Sequence, residues 1–70
     1  MNFRIYGNRK GQRGGCFFGI SMDDNLPVFG GGNLIYAPIY WDKSWKDMDE
    51  IQKKLENQYP SCAFRVRRVK

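Results

Sequence analysis

An α+β fold is predicted for this chain: a small single-layer mixed sheet of three to four strands (β-β-β-α-β) with one helix packed on one face. Three observations predict it. Residues 44–59 repeat apolar side chains at helical spacing, and residues 62–67 alternate as a strand does. The first forty residues hold further alternating runs divided by glycine-rich turns.

The elements follow in chain order. Met1–Tyr6 alternates, with Phe3 and Ile5 on one face and Asn2, Arg4 and Tyr6 on the other, and forms the first strand. Gly7–Gly15 carries four glycines and three cations and makes a long connection. Cys16–Met22 is the second strand, with Cys16, Phe18, Ile20 and Met22 inward and Phe17, Gly19 and Ser21 outward. Asp23–Pro27 is a polar turn. Val28 and Phe29 form a short strand segment or anchor the loop to the core. Gly30–Asn33 is a second flexible break.

Leu34–Tyr40 is rich in β-formers and is expected to be the third strand. Pro38 has no N–H to give a ladder, so this strand should lie at a sheet edge or break there. Ser44 caps the helix with Asp47 three residues on. Trp45, Met48, Ile51, Leu55 and Tyr59 form its apolar stripe, Asp49–Lys53 and Glu50–Lys54 its i,i+4 pairs, and Pro60 its stop. Cys62–Val69 closes the chain as a strand. Hairpins reverse direction, and a helix crossover returns a strand parallel to the third. The expected spatial order is 4-1-2-3, with the last strand parallel to the first.

One domain spanning residues 1–70 accommodates all of this, with no internal repeat. Hydrophobic residues make up 41% and aromatic residues 16%, enough for a small core and too much for a disordered chain. The formal charge of +5 is unevenly spread. Residues 1–22 carry Arg4, Arg9, Lys10 and Arg13 and no acid; residues 61–70 carry Arg65, Arg67, Arg68 and Lys70 and no acid; all seven acids lie between. If the first and last strands are neighbours, the molecule has one basic face.

Function classes narrow accordingly. There is no histidine, so the usual general base near neutral pH and the usual metal ligand are both missing. Two cysteines, Cys16 and Cys62, make neither a zinc site nor a disulfide scaffold and are expected as buried reduced thiols. The carboxylates are explained by helix solvation and pairing. The Gly7–Gly15 loop lacks P-loop spacing, and its lone Arg13-Gly14-Gly15 is one copy of a tripeptide that RNA-binding tails repeat. The expectation is a non-enzymatic protein with no cofactor, no metal and no membrane segment. With no apolar leader in the sequence, a cytoplasmic protein is expected, as a monomer or a strand-paired homodimer.

The face left uncovered by the helix should show Asn2, Arg4, Tyr6, Phe17, Ala63, Arg65 and Arg67, rings interleaved with guanidinium groups. Single-stranded nucleic acid, RNA or DNA, suits such a surface, with bases on rings and phosphates on arginines. The candidate binding residues are Arg4, Tyr6, Arg9, Lys10, Arg13, Phe17, Arg65, Arg67 and Arg68. Two rival explanations exist for the same pattern. Charges on edge strands prevent aggregation. Alternatively, the surface docks on a host protein that handles nucleic acid, as an inhibitor or adaptor of the phage or mobile-element accessory type. Trp45 falls on the core stripe, and Trp41, beside Tyr40 and Tyr36, packs in the core or serves as an interface anchor.

Overall fold

The computed structural model describes residues 1–69. Four strands, β1 (Asn2–Arg9), β2 (Gly15–Ile20), β3 (Pro27–Gly30) and β4 (Cys62–Val69), form one sheet in the order β3-β2-β1-β4. One helix, α1 (Trp45–Gln58), packs against it. This is the α+β architecture and strand order expected. Lys70 lies outside the described residues.

Every pairing is antiparallel, so the sheet is not mixed. The reason lies between β3 and α1. Tyr40 exchanges both backbone hydrogen bonds with Phe3, and the Lys43 N–H reaches the Met1 carbonyl. The chain has therefore already travelled back to the start of β1 before the helix begins. The helix then makes a second traverse: 14 residues rise about 21 Å, matching the roughly 20 Å from Phe3 to Arg9 along a strand. It delivers Cys62 opposite Arg9, and β4 runs back along the whole of β1.

The third strand also differs from the expectation. Leu34–Tyr40 is not a strand; Leu34–Tyr36 is a single 3₁₀ turn, and Pro27–Gly30 takes the edge beside β2. The Asn33 side chain accepts the Ile35 N–H and starts the turn, and Pro38 offers no donor for a ladder. Only Tyr40 of that segment makes a β-bridge.

The core lies between the sheet and α1. Phe3, Ile5 and Phe64 from one sheet face meet Phe17, Met48 and Cys62, all buried. Ile51, Leu55 and Tyr59 pack on them, as the helical stripe required. Phe17, Phe29 and Phe64 form a triangle with ring centroids 5.7–5.9 Å apart. Ser44 and Asp47 make a reciprocal capping box: the Asp47 N–H donates to Ser44 Oγ at 3.1 Å and the Ser44 N–H to Asp47 Oδ2 at 2.9 Å.

Trp45, expected on the core stripe, contacts the core only by its edge. Its ring stands at 70° to that of Phe3, 4.8 Å away, yet remains 53% exposed. Trp41 is 61% exposed and is not a core residue.

β2 stays with β1 for only two pairs, Tyr6–Cys16 and Gly7–Gly15. A register shift against β3 between Phe17 and Gly19, with Gly19 at φ +142°, then turns it away. Phe29 thereby comes down over Gly7. A side chain there would meet the Ala63 carbonyl oxygen and, at 2.9 Å, the Phe29 ring. Gly7→Ala should destabilise by at least the roughly 1–3 kcal/mol of ordinary overpacking, a large share of what a domain this small possesses. Gly31→Ala, with nothing within 4 Å, should be neutral. Urea denaturation followed by circular dichroism compares the two, and equal midpoints would contradict this packing.

Candidate nucleic-acid interface

The face of the sheet opposite the helix is built by alternation in β1 and β4. Phe3, Ile5 and Gly7 point inward, so Asn2, Arg4, Tyr6 and Asn8 point outward. The register sets Asn2 opposite Val69, Arg4 opposite Arg67, Tyr6 opposite Arg65 and Asn8 opposite Ala63. No acid belongs to these four pairs. Two guanidinium-bearing residues thus stand directly across from each other, with a third beside them.

Each arginine has a distinct setting. Arg67 is exposed and leans diagonally onto Tyr6, its guanidinium carbon 5.0 Å from the ring centroid. Arg65 is exposed across from the same ring. Arg4 is half-buried, and its Nε is buried with no hydrogen-bond partner. Among the described residues the ion pairs are Arg9–Asp24 and Lys53–Asp49, and neither involves Arg4, Arg65 or Arg67.

Cys16 stands opposite Tyr6 and is buried. Burial pushes its thiol pKa up, against the pull of the Arg4 charge and the Phe17 backbone. Its Sγ–H donates to the Ile5 carbonyl at 3.5 Å. It is a protonated packing residue here; Cys62 is also buried and unpaired by any disulfide. The Tyr40 hydroxyl is likewise pushed up, chiefly by burial and further by Cys16.

Four of the nine residues expected at the site come together on this face: Arg4, Tyr6, Arg65 and Arg67. Lys10 and Arg13 are exposed on the Lys10–Gly14 connection just beyond Asn8, a shorter loop than expected because β1 runs on to Arg9. The other three lie elsewhere. Phe17 is 7% exposed and belongs to the core, because β2 has the opposite phase to the one expected; Ile20 and Met22 are the exposed residues. Arg68 is exposed but pairs with Phe3, and so has the phase of the helix side.

Arg9 also shares the phase of Phe3 and Ile5. It reaches over the end of the core, where Nε donates to the Pro27 carbonyl at 2.8 Å and Nη1 to Asp24 Oδ2 at 2.9 Å. It fastens the β2–β3 turn, and its charge is answered. Asn8, by contrast, belongs to the open face. The signal for both was the alternation continuing through Gly7 instead of stopping there.

No family model, curated protein or solved structure matches this chain. No helix among the described residues is long and apolar enough to cross a membrane.

The Arg9 contact predicts a pH dependence. Its side-chain hydrogen bond to Asp24, aided by the Leu26 N–H, holds that carboxyl below its ordinary 3.8. The Ser44 backbone and side chain do the same for Asp47. A carboxyl depressed in the folded chain stabilises it fully above the ordinary value, and that contribution is lost as pH falls through the folded-state value. Thermal midpoints should therefore hold steady near neutrality and decline below about pH 4. Asp24→Asn with Asp47→Asn should make the decline shallower; an unchanged acid limb would remove these two carboxyls from the explanation.

Proposed function

We propose that this is a small basic, non-enzymatic protein that binds single-stranded nucleic acid, RNA or single-stranded DNA. The β1–β4 face contacts it, with Lys10 and Arg13 on the adjoining loop. The observation that carries the reading is Arg4 opposite Arg67, flanked by Arg65, on a face without acids. Like charges directly opposed across two strands cost a few tenths to about 1 kcal/mol. Each charge-assisted hydrogen bond to an anion returns about 1.5–3 kcal/mol. A bound phosphate thus outweighs the repulsion.

Edge protection does not account for the pattern. It explains cations on β4, an edge strand, but Arg4 is on β1, which has neighbours on both sides. Tyr6 and the Arg67 guanidinium stacked on it add flat surface for a base. A reducing compartment such as the cytoplasm suits the two free thiols.

A second reading has its own support. Ile35, Tyr36 and Trp41 are 74%, 76% and 61% exposed, which fits an inhibitor or adaptor of the phage or mobile-element accessory type that docks on a host protein. A bound protein that survives nuclease treatment would favour it.

The test is fluorescence anisotropy with labelled single-stranded oligonucleotides. Binding should weaken with salt at a log–log slope near −2, for about three phosphates neutralised. Arg4→Gln with Arg65→Gln and Arg67→Gln should cost about tenfold or more, while Lys53→Gln with Lys54→Gln on α1 should cost little. No anisotropy change at low salt, or equal losses in both variants, would defeat the proposal.

A further inference from the structure

The outer edge of β4 carries a separate message, because its backbone polarity can be deduced. Phe3 gives both its N–H and its carbonyl to Tyr40. Its main chain therefore faces away from β4, and Phe3–Arg68 is a non-hydrogen-bonded pair. By alternation Arg68, Val66, Phe64 and Cys62 direct their N–H and C=O groups outward. Two contacts agree: the Cys62 N–H donates to the Tyr59 carbonyl, and Gln52 Nε2 donates to the Phe64 carbonyl at 2.9 Å. The helix side thus covers the edge as far as Phe64. At Val66 and Arg68 these outward donors and acceptors have no protein partner among the described hydrogen bonds. Beside them lies a groove of roughly 570 Å³, lined by Trp45, Met48, Asp49, Gln52, Arg65 and Val66.

We propose that an extended acidic peptide segment of a partner protein adds to this edge as a fifth strand. The open main-chain ladder needs a peptide, since only a peptide backbone returns alternating acceptors and donors. The charge selects the peptide. Its residues on the face of Arg65 and Arg67 must be acidic. The alternate residues point toward Trp45, Met48 and Val66 and must be apolar. A second copy of this chain is a poor occupant: an antiparallel β4–β4 pairing sets an arginine-rich strand against itself. This site is distinct from the nucleic-acid face in its chemistry, although Arg65 and Arg67 border both.

The probe is a capped synthetic peptide alternating valine and glutamate, with a valine–lysine peptide as its control. Both are titrated into the isotope-labelled full chain by NMR. The expected result is a shift and slowed hydrogen exchange of the Val66 and Arg68 amides with the glutamate peptide alone. Val66→Pro removes an N–H that β1 does not use, so the fold should persist. It should weaken the peptide about tenfold, the loss of roughly one hydrogen bond, and leave oligonucleotide binding unchanged. Should Val66→Pro unfold, hydrogen exchange in the unaltered chain decides. The proposal is overturned if the Val66 and Arg68 amides stay unprotected at millimolar peptide, or if both peptides act alike. It is also overturned if sedimentation shows that β4 is occupied by a second copy. Loss of oligonucleotide binding with peptide binding intact would reject the nucleic-acid reading alone.

Discussion

The structure depends on the main chain of β1 being hydrogen-bonded along both sides. β4 takes one side over the full eight residues. On the other side Tyr40 holds Phe3, Lys43 holds Met1 just before the strand, and β2 pairs with Tyr6 and Gly7. A strand pinned in this way cannot slip. A shift of one residue would turn Phe3 and Ile5 to solvent and Arg4 and Tyr6 into the core. Every later statement about faces and edges is a consequence of that register: the inward aromatic core, the outward arginines and the outward polarity of Val66.

Much of the fold could be read from residues because several signals coincided there. At Ser44–Pro60 a cap, an apolar stripe, paired charges and a stop all named one helix, and the capping box and stripe were found as expected. Cys62–Val69 alternated as far as Arg67 and had one buried face. Leu34–Tyr40 had β-formers but no alternating burial to reward a strand, and Asn33 and Pro38 favoured a turn. Its neighbour Pro27–Gly30 became the strand through pairing with β2, a long-range fact that four residues do not announce.

The candidate site was legible to a similar degree. Arg4, Tyr6, Arg65 and Arg67 follow from alternation in two well-marked strands. Phe17 does not: Cys16 pairs with the outward Tyr6, which turns Phe17 inward, the reverse of the phase suggested by Cys16, Phe18 and Ile20. Arg9 departs from the expected face for a different reason. Gly7 resembles a turn in the sequence, but in the fold its missing side chain makes room for Phe29, and the strand runs on through it. There a glycine hid the outcome: tertiary packing decides whether it ends an element or lets it continue.

The partition of charge between the two ends of the sequence and its middle has a kinetic consequence. Four of the seven acids, Asp47, Asp49, Glu50 and Glu56, lie on α1, while Arg4, Arg65 and Arg67 share the face of the sheet opposite the helix. Such a molecule carries a dipole as well as a net charge. In the field of a polyanion it experiences a torque before it makes contact. It is turned so that the guanidinium side leads.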